Sequence, residues 1–266
     1  MAYDLQKASM WKRISAFLFD FIILMTLAVG IAVIISALLG YDMVAEAYNK
    51  RSAEIKAEIA EEYKFEENGI SFDMKESELK ELTDAQKELL TEAQKAHLEK
   101  RSGDLILQGL NSRLSNSMLI IVSLSLFLAF IILEFAVPLF LRHGRTLGKR
   151  IFGIAVMQTN GTKVKNISMF IRAILGKYTV ETMIPVYVLI PFFFGVPNLL
   201  GVIAVLVILV VQVGMLIATK TNSALHDGLS STVVVDYATQ MIFETEAELV
   251  EYQRQRAAKL AEERRD

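Results

Sequence analysis

Four long apolar stretches constrain this chain more than any other feature of its sequence. They cover about residues 14–39, 117–141, 182–197 and 199–219, and the charged residues crowd into the segments between them. Soluble domains mix charged and apolar residues on a helical or strand period, whereas a bilayer separates them into blocks. A helix needs roughly 20 residues to cross the hydrocarbon core. The first, second and fourth stretches are long enough to do so, and the third is marginal. The pattern predicts an all-α polytopic membrane protein, a helical bundle built on four apolar segments.

Composition and charge remove several classes of function. The chain has 266 residues, a hydrophobic fraction of 53%, a formal net charge of -2 and no cysteine. Its charge gives no reason to expect nucleic acid as a partner, and the lack of cysteine excludes disulfides and thiolate metal sites. The three histidines stand in separate segments without ligand spacing. We therefore expect neither a metal site nor a hydrolase.

The third apolar stretch leaves two interpretations open. It carries Pro185 and Pro191, and it meets the fourth stretch at Gly195-Val196-Pro197-Asn198. Proline and glycine together indicate a break. Stretches three and four therefore form either a hairpin with two crossings or a re-entrant or interfacial segment followed by one crossing. Proline in a membrane helix is tolerated where neighbours satisfy the freed carbonyl, and we favour the hairpin.

Lysine and arginine near the ends of the stretches predict the orientation of the chain. They precede the first stretch and follow the second: Lys7, Lys12, Arg13, Arg142, Arg145, Lys149 and Arg150. Such residues are enriched in cytoplasmic loops. We expect a multi-pass protein of the plasma membrane, the cytoplasmic membrane of a bacterium, with both termini in the cytoplasm. The chain then divides into the first span with its N-terminus (1–39), an extracytoplasmic insertion (40–116), the remaining membrane domain (117–236) and a charged cytoplasmic tail (237–266).

The insertion is acidic and rich in helix-forming residues. Residues 41–115 contain 17 acidic and 11 basic side chains, and Ala, Glu, Lys and Leu dominate, which favours helix. Asn68-Gly69 is a predicted turn. We expect a helical hairpin, which either binds a protein partner or is only a solvated helix without a ligand.

The segment after the second stretch changes its pattern twice. Residues 151–157 and 231–235 are partly β-branched, which predicts a short β pairing on the cytoplasmic face. Between them, residues 167–178 have the pattern of an amphipathic helix with Arg172 and Lys177 on its polar side, a helix suited to the membrane interface.

A basic loop precedes the first predicted strand. Residues 144–150 resemble a phosphate-binding loop, but such a loop has four residues between its glycines, and here there are three. The better interpretation is a basic turn at the level of the headgroups, with a preference for anionic lipid. The basic residues of this face are Arg145, Lys149, Arg150 and Arg172.

Three polar side chains interrupt the apolar stretches. Asp20 lies seven residues after Arg13, on the same helical face and roughly 10 Å along the axis. Glu134 lies at a similar depth in the second stretch, and so does Gln212 in the fourth. Ionisable groups in the hydrocarbon region cost roughly 2.5–3.5 kcal/mol on insertion scales, so something must offset them. The layer either handles protons or cations, or it is structural and holds the helices together through ion pairs and hydrogen bonds.

Motifs spread over the apolar part of the chain carry a family resemblance. They are Arg13-Ile14-x-Ala16-x3-Asp20, Gly144-x-Thr146-Leu147-Gly148-Lys149-Arg150-x2-Gly153-Ile154-x-Val156, Gly161, Ile171-Arg172-Ala173 and Leu225-His226-Asp227-Gly228-Leu229-x2-Thr232-Val233-Val234-Val235. The pattern resembles the RDD family of membrane proteins, named for one arginine and two aspartates. By position these are Arg13, Asp20 and Asp227. The insertion is much longer than the usual first external loop of that family.

The resemblance implies a membrane protein for which transport, including cation/proton antiport, has been proposed, and it implies neither an enzyme nor a cofactor. We therefore expect a transporter in which Asp20 and Glu134 act within the membrane. Arg13 would orient or neutralise Asp20, and Asp227 would join Arg13 or Arg145 in a polar cluster. A four-span bundle is small for a complete transport path, which favours a homo-oligomer. The alternative is a non-transporting scaffold or accessory subunit that binds a partner through its insertion.

Overall fold

The computed structural model describes residues 5–141, 143–193 and 198–263. Within them, four helices are long and apolar enough to cross a membrane: Met10–Leu39, Leu105–Phe140, Asn166–Pro191 and Leu199–Ala218, here spans 1 to 4. Their mean hydropathies are 2.9, 2.7, 1.3 and 3.0. Span 3 is the least apolar because it contains Arg172, Lys177 and Glu181. The predicted all-α polytopic fold is confirmed.

The elements follow one another in a simple order. They are α1 (Met10–Leu39), α2 (Tyr41–Glu62), α3 (Phe65–Asn68), α4 (Glu76–Glu81), α5 (Asp84–Gly103), α6 (Leu105–Phe130), π1 (Ile131–Ala136), α7 (Val137–Phe140), α8 (Leu147–Ile151), β1 (Ile154–Gln158), α9 (Asn166–Phe170), π2 (Ile171–Met183), α10 (Ile184–Phe193), α11 (Leu199–Ala218), α12 (Leu225–Leu229), β2 (Thr232–Asp236) and α13 (Glu246–Glu263). Here π1 and π2 are π-helical segments. The chain forms two compact units, residues 32–122 and the remainder, which we call the insertion unit and the membrane unit.

Span 3 begins earlier than its hydropathy indicated. Elements α9, π2 and α10 form one continuous helix, so residues 167–178 are not a separate helix at the membrane interface. That prediction is wrong because the polar side of this helix is covered by protein, with Arg172 only 2% exposed. Helix α10 packs against α11, as the hairpin interpretation requires. The predicted break at residues 195–197 lies outside the described residues, as does Arg142.

Each π segment ends two residues before a proline. Pro138 follows π1 and Pro185 follows π2. Proline cannot donate to the carbonyl four residues earlier, and its ring clashes with that carbonyl. The residues four positions earlier are Glu134 and Glu181. The regular α-helical ladder is therefore interrupted at the two glutamates of spans 2 and 3.

A short antiparallel β pairing joins three parts of the membrane unit. Strands β1 and β2 pair with Val156 opposite Val234, which confirms the predicted pairing. Ala8 and Ala16, from the start of the chain, pack on one face of the sheet. Lys7 also bridges to β2. The beginning of span 1, the segment after span 2 and the segment after span 4 therefore meet at this sheet.

The insertion unit has an apolar core of its own. Helices α2 and α5 pack against each other, and the predicted turn at Asn68-Gly69 is present, with Gly69 at φ +62°. The buried residues of this core are Ile59, Phe65, Ile70, Leu82, Leu90 and Ala93. The predicted hairpin of helices is thus a small packed unit. In the membrane unit, the charged tail forms the helix α13.

A buried cluster of charged side chains

The membrane unit gathers charged side chains from three spans and two short helices around a buried centre. We call this set the charge cluster; it consists of Arg13, Asp20, Glu134, Lys149, Arg172, Lys177, Glu181, His226 and Asp227. Its members are buried or half-buried. Burying charge is costly unless partners compensate for the lost solvent. The contacts of each member therefore decide what the cluster can do.

The most buried ion pair within the described residues joins span 3 to α12. The guanidinium of Arg172 contacts the Asp227 carboxylate and donates to Thr232 Oγ1 at 2.8 Å. Asp227 also accepts from the backbone N–H of Ala224 at 3.2 Å and so caps α12. Burial on its own would raise the pKa of Asp227, but the Arg172 charge, together with smaller contributions that include the Ala224 N–H and Lys149, outweighs it and holds that pKa below its usual range.

Two further pairs tie the glutamates of the π segments to their neighbours. Lys177 Nζ lies 2.6 Å from the Glu134 carboxylate, linking spans 3 and 2. The Glu181 carboxylate lies 2.9 Å from His226 Nδ1, so that nitrogen must donate. His226 Nε2 faces Arg172 Nη2 at 3.2 Å and accepts from it in the neutral ring. Burial lowers the pKa of His226, which agrees with a neutral imidazole.

Span 1 enters the cluster through Asp20, which holds the short helix α8. Its carboxylate accepts from Thr146 Oγ1 and, at 2.7 Å, from the backbone N–H of Gly148. A Cβ at Gly148 would strike the Ala16 carbonyl and lie 3.0 Å from the Asp20 carboxyl carbon. The glycine of this motif is therefore required by the close approach of α8 to α1.

Arg13 does not pair with Asp20, so the predicted role of orienting that carboxylate is wrong. Its guanidinium donates to the backbone carbonyls of Val234 at 2.6 Å and Asn222 at 2.7 Å. It is attracted electrostatically to Asp227, but the direct partner of Asp227 is Arg172. Arg13 thus fixes the start of span 1 against the segment after span 4.

Two other predicted residues lie apart from the carboxylates. Gln212 in span 4 accepts from the backbone N–H of Leu225 at 3.0 Å and so positions the start of α12. Arg145 lies over the Tyr237 ring, 4.1 Å from its centroid, a cation–π contact. Neither has Asp20 or Glu134 as a hydrogen-bond or ion-pair partner within the described residues.

The basic loop is less exposed than its sequence indicated. Arg150 is exposed, but Lys149 and Arg172 are 7% and 2% exposed. The prediction of a basic face open to headgroups is wrong for these two residues because both belong to the charge cluster. In addition, Lys149 Nζ is buried and has no hydrogen-bond partner in the described part of the chain. Burial, reinforced by Arg172 and Lys177, lowers the pKa of Lys149 to about 7.

Sequence reasoning missed Lys177 and Glu181 as members of the cluster. Both stand in a segment interpreted as interfacial or loop, because span 3 was placed too late in the chain. One signal was available: a glutamate stands four residues before Pro138 and again four residues before Pro185. That repeat marks two helices with interrupted ladders, and π segments of this kind are frequent at functional sites.

These features define an integral membrane protein whose membrane unit has an apolar exterior and a charged interior. A family model described as the RDD family matches residues 7–231, and the chain belongs to that family. The chain matches no curated protein and no solved structure.

Proposed function

We propose that this protein is a transporter, not an enzyme, and that it exchanges a monovalent cation for a proton across the plasma membrane. Asp20 and Glu134 supply the negative charge that attracts the cation. In this proposal both termini face the cytoplasm, the insertion faces outside and the protein works as a homo-oligomer. Anionic headgroups interact with the exposed Arg150.

One observation carries the proposal. The carboxylates of Asp20 and Glu134 come from different spans and lie close enough to repel each other electrostatically within one buried cluster. Two like charges brought together away from water are costly. Well-packed apolar side chains are often at least as stabilising as buried ion pairs, so a chain that needed only to hold its helices together has little need of these charges. The arrangement is suited to groups that exchange a proton or a cation.

The test is cation-dependent proton movement in proteoliposomes. Purified protein is reconstituted with a pH gradient, and Na⁺, K⁺ or Li⁺ is added while an internal pH dye is followed. We expect the wild type to dissipate the gradient and Asp20→Asn and Glu134→Gln to lose that activity while remaining folded. Absence of flux with all three cations, in protein shown to be folded and inserted, contradicts the proposal.

A carboxylate outside the spans provides the matched control. Asp236 forms an ion pair with Lys12 at 2.5 Å beside the sheet, and Lys12 is half-exposed. Asp236→Asn removes the same charge as Asp20→Asn but leaves the cluster intact. We expect its flux to equal that of the wild type.

A second candidate function is a scaffold without transport. It is favoured by the partners of the cluster, because Asp20, Glu134, Glu181 and Asp227 each have a hydrogen-bond or ion-pair partner, as a structural role requires. It is also favoured by the insertion, which has its own core and can present a surface to a protein partner. Replacing residues 41–103 with a flexible linker separates the two functions. Transport predicts that flux persists, whereas a scaffold predicts that the partner and the cellular function are lost.

A further inference from the structure

We propose that Lys149 is the group that carries the exchanged proton, and that a monovalent cation is drawn into the charge cluster when Lys149 releases it. This inference rests on the proposed exchange function and assigns a step of it to a residue. It follows from the position, surroundings and charge of Lys149.

Lys149 differs from the other cations of the cluster in its contacts. It is 7% exposed, and its Nζ makes no hydrogen bond within the described residues. The other cationic groups of the cluster are engaged: Arg13 with backbone carbonyls, Arg172 with Asp227 and Lys177 with Glu134. A buried ammonium without a partner costs far more than the neutral amine in the same place. Lys149 is therefore the cluster member that loses its charge most readily.

Charged side chains from four other helices act on Lys149. Asp20 faces it from span 1, Glu134 from span 2, Arg172 and Lys177 from span 3, and Asp227 from α12. The two cations disfavour its protonation, and the carboxylates favour it. With burial these forces leave the pKa of Lys149 at about 7. Small changes in the charge around it therefore add or remove its proton near neutral pH.

The balance of charge in the cluster couples that proton to a cation. The cluster contains four cationic side chains, Arg13, Lys149, Arg172 and Lys177, and four carboxylates, Asp20, Glu134, Glu181 and Asp227. Both oxygens of Asp20 accept hydrogen bonds, as an ionised carboxylate does, and His226 is neutral.

The protonated cluster is therefore electrically neutral, and loss of the Lys149 proton leaves one net negative charge. A monovalent cation restores neutrality, and reprotonation of the amine expels that cation. One proton then exchanges for one cation.

The position of Lys149 is fixed by the same contacts that hold α8. Thr146 Oγ1 accepts from the backbone N–H of Lys149 at 3.4 Å and itself donates to Asp20. Through Asp20, span 1 thus holds the backbone of Lys149 in place. Lys149 is the proton carrier, and Thr146 and Gly148 are positioning residues for it.

The experiment is proton release on addition of salt to the full-length protein in detergent. NaCl is added at pH 6.5 in weak buffer with a pH indicator, and choline chloride is the salt control. We expect the wild type to release up to one proton per chain on adding Na⁺. Lys149→Arg releases none, since a guanidinium keeps its proton at this pH. Arg150→Met, which removes the exposed neighbouring charge, releases as much as the wild type.

The outcomes separate this inference from the proposed function. If the wild type shows neither flux nor proton release with any cation, the exchange function fails and this inference fails with it. If the wild type transports and folded Lys149→Arg transports and releases protons equally well, only this inference is overturned.

Should Lys149→Arg not fold, lysine-selective ¹³C NMR of the wild type decides. We expect one lysine resonance to titrate near neutral pH and to shift its midpoint downward with Na⁺. Titration of every lysine above pH 9 overturns the proposal.

Discussion

The insertion unit and the membrane unit place charge and apolar surface in opposite positions. In the insertion, Ile59 and Phe65 are buried and the ion pair of Arg51 with Asp104 lies near the surface. In the membrane unit, Leu199 is 75% exposed, whereas Arg172 is 2% exposed. Each unit matches its surroundings, because water solvates charge and a bilayer accommodates apolar side chains.

Because of this contrast, an ion pair contributes differently to stability in the two units. A surface ion pair is screened by water and contributes little. A buried pair is strongly coupled, and removal of one partner leaves an uncompensated charge. Apolar packing supplies the core of the insertion unit, whereas paired charges organise the interior of the membrane unit. Substitutions in the two units should therefore differ in size and in kind.

The largest effect is expected from the Arg172–Asp227 pair. Arg172→Met or Asp227→Leu alone should lower the free energy of unfolding by about 3–5 kcal/mol, because each leaves a buried unpaired charge. The double variant should recover much of that loss, since it removes both charges together. A double-mutant cycle of thermal unfolding in detergent measures the coupling. If the single losses simply add in the double variant, the two residues do not form a strongly coupled pair.

The next effect tests the apolar core of the insertion unit. Ile59→Ala removes a side chain that is 2% exposed and should cost about 2–5 kcal/mol. Hydrogen exchange should speed up in α2 and α5 while the amides of β1 and β2 keep their protection. Lys87→Ala, an exposed substitution on α5, serves as the control. Equal loss of protection in both units would show that the insertion is not an independent packed unit.

The sequence predicts the division between these units well and the interior of the membrane unit poorly. Hydropathy locates span 1 and span 4 because they contain little charge, and β-branched residues locate the β pairing. Hydropathy places the start of span 3 too late because Arg172, Lys177 and Glu181 interrupt it, and its mean hydropathy reaches only 1.3. Hydropathy records how apolar a segment is but not whether its charges meet partners in the fold.

The sequence likewise identifies some residues of the candidate site and misses others. Asp20 and Glu134 are found from the sequence because each is an isolated charge in an apolar stretch. Lys177 pairs with Glu134 and Arg172 with Asp227. Both pairs join segments that are distant in the sequence, and the periodicity of a single sequence does not reveal such contacts. The burial of Lys149 was missed because a basic residue near the end of a span is ordinarily at the headgroups. Asp20 binds the backbone of the same short helix, which draws Lys149 inward.

A smaller effect on stability is expected at Gly148, where the close approach of two backbones positions the cluster. Gly148→Ala places a methyl group against the Ala16 carbonyl and the Asp20 carboxylate, which should cost about 1–3 kcal/mol by overpacking. Gly214→Ala is the matched control, because a Cβ there meets no atom within 4 Å. Thermal unfolding should fall for the first variant and stay level or rise for the second. Equal unfolding temperatures would show that α8 can move away from α1 without cost.

The smallest effect is expected at the surface ion pair of the insertion unit and appears only in acid. Arg51 holds the pKa of Asp104 below its ordinary value. The folded state therefore binds a proton less readily than the unfolded state. The pair stabilises the fold above the unfolded pKa of Asp104, near 3.8, and this contribution is lost as pH falls through the folded pKa.

Asp104→Asn tests that acid dependence while preserving the start of α6. Asp104 Oδ1 accepts from the Leu107 N–H at 2.7 Å, and asparagine is an equally good N-cap. The variant should therefore lose less stability than the wild type on acidification, and Arg51→Gln should behave similarly because it removes the cause of the shift. Acid unfolding of the insertion, followed by hydrogen exchange, measures the difference. If Asp104→Asn and the wild type lose stability in parallel, the pair adds nothing to the acid dependence of this unit.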